Sequence, residues 1–171
     1  MHLLAIFLLA APAPADSYPT AKGTAGVSFY LPTGTDPRLV GVTYFLANDM
    51  AARADFGLAA PLSPSGPGIF ATVSASLGLR LYQLKRERVG VFLQPAVAIG
   101  RESSPAVAAN AAEFIRFAGG IGVEYFFTNR FSAGAILEVA LKLANLAGPA
   151  GTSVFTTFGT DTSWLSANIY F

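Results

Sequence analysis

Cysteine is absent from all 171 residues, which removes disulfides, thiolate metal sites and cysteine nucleophiles together. Charge is scarce: 11 Lys and Arg with 10 Asp and Glu make only 12% of the chain, too few to solvate an ordinary soluble surface of this size. The net charge of +1 gives no reason to expect nucleic acid as a partner. Long apolar runs are missing past residue 15, where Gly, Ser, Thr, Pro or a charge interrupts every apolar stretch. None reaches the roughly 18 residues of a membrane-spanning helix. Yet 53% of the residues are apolar, so the composition points to a membrane that is not crossed by helices.

The first fifteen residues read as a secretory signal peptide. Leu3 to Ala11 is almost wholly apolar, and Ala11-Pro12-Ala13-Pro14-Ala15 places small residues where a cut after Ala15 needs them. Before it stand only the α-amino group and His2, where a Lys or Arg is usual, so a membrane-anchored start is the alternative. Cleavage leaves residues 16–171 as the single domain and removes His2, the only histidine of the chain.

From Thr24 onward polarity alternates with period two, the spacing that sends neighbouring side chains to opposite faces of a strand. Eight such segments run from Thr24 to Leu31, Val40 to Ala47, Ala52 to Ala60, Ala71 to Tyr82, Val89 to Gly100, Phe114 to Phe127, Phe131 to Leu143 and Phe155 to Phe171. Their connections alternate too. Asn48-Asp49, Lys85 to Arg88 and Thr128 to Arg130 are short, whereas Pro32 to Arg38, Pro61 to Gly68, Arg101 to Glu113 and Ala144 to Thr152 are longer. Short turns on one side and longer loops on the other predict an all-β, eight-stranded, antiparallel up-and-down transmembrane barrel.

The composition of the two faces decides which one meets lipid. In the fourth segment Ala71, Val73, Ala75, Leu77, Leu79 and Leu81 oppose Thr72, Ser74, Ser76, Gly78, Arg80 and Tyr82; the fifth, sixth and seventh repeat the pattern, with Ile136 out of step. A water-facing second face should be rich in Lys, Glu, Asp and Gln. This one is mainly Gly, Ala, Ser and Thr with scattered aromatics, which suits the packed lumen of a narrow barrel. Nine of the seventeen glycines carry the inner parity within the segments, while Gly119 carries the outer one. Asp161 and Glu113 have outer parity and are expected at or above the membrane interface. A lipocalin-type soluble barrel would instead need a lumen lined with Val, Leu and Ile. Closure follows from backbone chemistry, because hydrocarbon cannot hydrogen-bond a free sheet edge.

The final stretch, Trp164 to Phe171, resembles the C-terminal strand of bacterial outer-membrane proteins, with Leu165, Ala167, Ile169 and Phe171 matching the alternating apolar signal that ends in an aromatic residue. By strand count and layout the mature chain resembles the small eight-stranded group that includes the OmpA membrane domain and OmpX. That resemblance implies localisation in the outer membrane, insertion by the outer-membrane assembly machinery, and no catalytic residues to carry over. A barrel without a peptidoglycan-holding domain is expected.

Little chemistry remains. Small outer-membrane barrels that are enzymes use a histidine paired with Ser or Asp, and the mature chain is expected to have none. A Ser-Lys pair could draw only on Lys142, beside which no serine is specifically placed. With His and Cys missing, no metal site or cofactor is expected. The nearest thing to a site is a set of inner-parity charges: Arg53, Asp55, Arg80 and Glu124 toward the periplasmic end, with Arg116, Glu138 and Lys142 higher. If the sixth and seventh segments pair about Thr128 to Arg130, Arg116 and Lys142 stand opposite each other and Glu138 is placed to neutralise both. The set either plugs the lumen or gates a narrow ion path. Tyr125, Phe127, Phe131 and Phe171 are expected in one interfacial girdle, with Phe29 and Phe117 toward the other. Arg38 and Arg101 are placed to meet lipopolysaccharide phosphates. The expected protein is a non-enzymatic monomer surrounded by outer-membrane lipid, with a structural or surface-interaction role; a porin-like narrow pore is the alternative.

Overall fold

A computed structural model describes residues 19–32, 38–59, 72–102, 112–144 and 155–171. The expected leader at 1–15 and most of each longer connection lie outside them. The described segments form eight strands: β1 (Ala25–Pro32), β2 (Arg38–Ala47), β3 (Met50–Ala59), β4 (Thr72–Arg86), β5 (Val89–Glu102), β6 (Ala112–Phe126), β7 (Phe131–Ala144) and β8 (Phe155–Tyr170). Each pairs antiparallel with its sequence neighbour, and β1 closes on β8 from Gly26↔Tyr170 to Pro32↔Trp164. The barrel therefore has no free edge strand to leave unpaired in hydrocarbon.

Two-residue turns join β2 to β3 and β4 to β5, and each needs a left-handed residue: Asp49 at φ 67° and Glu87 at φ 53°. Residues 19–24 fold across the same end. The Asp49 amide donates to the Thr20 carbonyl (3.0 Å) and the Gly23 amide to that of Phe45 (2.8 Å), while Lys85 reaches both Thr20 Oγ1 (3.1 Å) and Asp49 (2.5 Å).

The strands depart from strict alternation at bulges. β4 continues past Tyr82 to Arg86 because Gln83 is an extra residue: pairing shifts from Tyr82↔Phe92 to Leu84↔Val91. Without that shift Leu84 would point inward with Tyr82; with it, Leu84 faces outward and is 60% exposed. β8 skips Asp161 in the same way, between Glu138↔Thr162 and Val139↔Thr160. The β4–β5 ladder is interrupted at Leu79 and Arg80, opposite the stretch where Pro95 offers no N–H.

The apolar face is the outside of the wall. Leu77 (64% exposed), Leu137 (52%) and Leu165 (55%) project outward, whereas Arg80 and Glu124 are fully buried in the lumen. Ile136, out of step in the sequence pattern, lies inside with the other residues of its parity. A water-soluble barrel has the reverse distribution, so the exterior is built for hydrocarbon. Along β8, Leu165, Ile169 and Phe171 stand exposed on this wall, with Ala167 half-buried between them.

Inside, large rings face glycines. The register sets Phe92 opposite Gly122, Phe114 opposite Gly100, and Tyr170 opposite Gly26. A Cβ on any of these glycines would run into the facing ring. These three glycines are thus the space into which aromatic side chains fold. At Gly134 the obstacle is backbone: a Cβ would lie 2.6 Å from the Val123 carbonyl oxygen and 3.3 Å from Glu124 Cα. Gly119 on the outer wall has nothing within 4 Å. Gly134→Ala is therefore expected to destabilise the barrel by about 1–3 kcal/mol. Gly119→Ala should be neutral or gain ~0.5–1 kcal/mol from reduced backbone freedom in the unfolded chain. Denaturant unfolding of the two variants side by side checks the contrast, and equal effects would mean that the inner wall is loosely packed.

Candidate functional site

The lumen is filled in tiers from the turn end upward. The lowest is aromatic: Phe45, Tyr82, Phe92, Phe126 and Tyr170 are all buried, with ring centroids 5.5 to 6.4 Å apart between neighbours. Inner-parity positions of β2, β4, β5, β6 and β8 supply one ring each, so the tier spans most of the cross-section.

Above it lies the polar hub. Glu124 accepts five hydrogen bonds: from Arg80 Nη1 (3.0 Å), Tyr82 Oη (2.5 Å), Asn168 Nδ2 (2.9 Å), Tyr170 Oη (2.7 Å) and Ser132 Oγ. Arg80 in turn donates from Nε and Nη2 to Gln94 Oε1 (both 3.2 Å) and from Nη2 to Tyr30 Oη (3.2 Å), with its guanidinium 4.2 Å from the Phe92 ring centroid. Six strands, β1, β4, β5, β6, β7 and β8, thereby meet on one buried ion pair. Full burial of two charges is tolerable only when their remaining hydrogen-bonding capacity is met, and here neighbouring side chains meet it.

The next tier is Arg53 with Asp55. They are two residues apart on β3 and so share its inner face, and Nη2 donates to both carboxylate oxygens at 2.7 and 2.8 Å. Ser76 Oγ adds a bond to Asp55 (2.9 Å), and the Arg53 guanidinium lies 4.5 Å from the Tyr30 ring centroid. Higher still, Arg116 pairs with Glu138. Cross-strand pairing sets Arg116 opposite Lys142.

Lys142 has a carboxylate partner that the sequence pattern did not offer it. Its ammonium pairs with Glu102 and lies 4.6 Å from the Phe114 ring centroid. The sequence pattern left Glu102 in a loop. The structure corrects this because β5 runs on to Glu102, which pairs with Thr72 and Ala112. With Glu102 the described lumen holds Arg53, Arg80, Arg116 and Lys142 against Asp55, Glu124, Glu138 and Glu102, four charges of each sign in four ion pairs.

Sequence reasoning also missed the aromatic floor as a unit and the neutral donors around Glu124. The available signal was the parity of Phe45, Phe126 and Tyr170, each out of phase with its strand's outward apolar set. At the loop end Leu39, Ser76, Phe114, Arg116, Lys142 and Trp164 help to line a cavity of about 80 Å³, room for several water molecules. The whole arrangement can neutralise and obstruct; among the described residues no group of three His, Asp or Glu side chains is gathered to hold a metal ion.

No family model matches the chain, and no curated protein matches it. Among solved structures, the N-terminal β-barrel domain of Pseudomonas aeruginosa OprF matches with a TM-score of 0.59 at 13% identity, over 88% of this chain and 98% of that one. Ail, the attachment invasion locus protein of Yersinia pestis, matches with a TM-score of 0.44 at 14% identity, over 87% of this chain and 98% of that one. Ail in a phospholipid bilayer nanodisc gives 0.45 at 15%, over 88% and 100%. At 13% identity the likeness to the OprF domain is one of fold, an eight-stranded outer-membrane type of barrel.

Proposed function

We propose that this chain is a monomeric protein of the bacterial outer membrane, exported by a cleaved leader, with a non-enzymatic structural or surface-interaction role and a lumen plugged by its own side chains. The observation that carries the plug is the Arg80–Glu124 pair, fully buried, hydrogen-bonded to groups from four other strands and stacked on a floor of five aromatic rings. A plug that also ties strands together is a structural element, and any specificity then belongs to the loops and outer wall. Leu165, Ala167, Ile169 and Phe171 are the expected contact for the assembly machinery. Arg38 and Arg101, exposed near the loop-side ends of β2 and β5, are the expected contacts for lipopolysaccharide phosphates.

The second reading, a narrow pore, draws on the loop-end cavity that reaches down to Arg116 and Ser76. Planar-bilayer recording of the purified protein separates the two. The plug predicts no stable single-channel steps from the native protein. Stable steps abolished by Glu138→Ala or Arg116→Ala would replace the plug by a gated path. Heat-modifiable gel migration of the membrane fraction tests the barrel in the envelope, and a carbonate-extractable soluble product would remove the membrane assignment.

A further inference from the structure

Cations are treated differently at the two levels of this barrel. Within the described lumen each one is held in an ion pair. At the turn end, Lys85 is engaged by Asp49, but Lys22, Arg86, Arg88 and Arg130 have no ion-pair partner among the described residues. Among the described residues Glu87 is the one acidic side chain left beside them, and it is exposed.

Three of these cations bracket an aromatic patch on the outer wall. The Phe126 amide donates to the Arg88 carbonyl (2.8 Å), so the β4–β5 turn sits against the end of β6. The Tyr170 amide donates to the Arg130 carbonyl (2.8 Å), which brings the β6–β7 turn against the end of β8. Between them Phe127 packs edge-on to Tyr125 (5.0 Å between centroids) and stacks with Phe131 (5.4 Å), both phenylalanines being exposed on the lipid side. Aromatic rings of this kind lie at headgroup depth. Arg88 lies one position past the Val89↔Tyr125 pair, Arg130 immediately precedes Phe131, and Arg86 pairs with Val89, so their long side chains stand among the phosphates, where a guanidinium makes paired hydrogen bonds.

We infer that the turn-end rim formed by Arg86, Arg88 and Arg130, above the Tyr125–Phe127–Phe131 patch, is a binding surface for anionic phospholipid headgroups of the leaflet it faces. Charge complementarity favours lipid as the occupant because the cations continue directly into an apolar, ring-covered wall that acyl chains would cover. The inference rests on the barrel spanning a bilayer, and on nothing about the loops.

The test is electron paramagnetic resonance of the full chain in phosphatidylcholine vesicles carrying a trace of spin-labelled phosphatidylglycerol or spin-labelled phosphatidylcholine. A motionally restricted fraction of either label reports insertion. The restricted site should favour phosphatidylglycerol by roughly threefold to fivefold. The preference should fall toward parity in 1 M salt and in the combined Arg86→Gln, Arg88→Gln, Arg130→Gln variant, and persist when the same three become Lys.

An unchanged preference in the Gln variant, or an equal loss from Arg38→Gln with Arg101→Gln at the opposite rim, overturns the inference. So does a Gln variant that keeps its lipid preference but loses binding to polyglutamate, which would make the rim a surface for acidic protein. If the Gln variant gives no heat-modifiable band, the salt series and the opposite-rim variant decide. Insertion without a phosphatidylglycerol preference defeats this inference alone; no restricted fraction of either label defeats the membrane assignment and this inference with it.

Discussion

Replacing Glu124 by alanine is expected to destabilise the barrel by about 3–5 kcal/mol, the range found when one partner of a buried ion pair is removed. The carboxylate accepts from Arg80, Tyr82, Asn168, Tyr170 and Ser132; its loss strands Tyr82, Tyr170 and Ser132, leaves Asn168 only Ser132 Oγ, and unpairs a guanidinium that is fully buried. Arg80 would keep only Gln94 and Tyr30. Reversible urea unfolding of the protein in phospholipid vesicles measures the change. A combined Arg80→Met, Glu124→Leu variant should be less damaged than either single substitution, because it removes both charges instead of orphaning one. A shift below about 1 kcal/mol for Glu124→Ala, the size of an exposed pair, would mean that the hub is hydrated and does not hold the strands together.

Leu77→Arg should cost roughly 2–4 kcal/mol, since Leu77 stands well inside β4 on the outer wall and an arginine near the bilayer midplane carries that penalty. The same substitution at Leu84, also outward but two residues from the end of the strand, should cost no more than ~1 kcal/mol, because its guanidinium reaches the headgroups. The depth dependence is the informative quantity. In a barrel bathed by water both substitutions would be close to neutral. Equal small effects at the two positions, measured in vesicles, would therefore contradict a hydrocarbon exterior.

The parts of this protein that were readable in advance share one property: a side-chain period of two leaves its mark on neighbouring residues, within one strand. Val73, Ala75, Leu77 and Leu79 against Ser74, Ser76, Gly78 and Arg80 announce both the strand and its two faces without reference to any partner. Strand ends were harder to place, because a bulge changes parity and leaves no local mark. Gln83 sends Leu84 outward, and the extension of β5 to Glu102 depends on Thr72 and Ala112 being there to pair with it. The candidate site was legible as a set of charges and illegible as a set of pairs. Arg53 and Asp55 sit two apart on one strand and could be matched by spacing. Arg80 and Glu124 are forty-four residues apart and meet across β5, on which Gln94 and Phe92 hold the guanidinium.

What the chain decided by itself was the number of strands, their alternating connections and which face is greasy, since backbone geometry converts each local pattern directly into a strand with two sides. What only the closed barrel decided was which inward groups touch: that Lys142 finds Glu102, that five rings drawn from five strands form one floor, and that Gly26, Gly100 and Gly122 lie opposite rings. These contacts depend on register and on closure of β1 against β8, and both are set by all eight strands together, because a slip of one residue anywhere would turn every side chain of that strand to the other face.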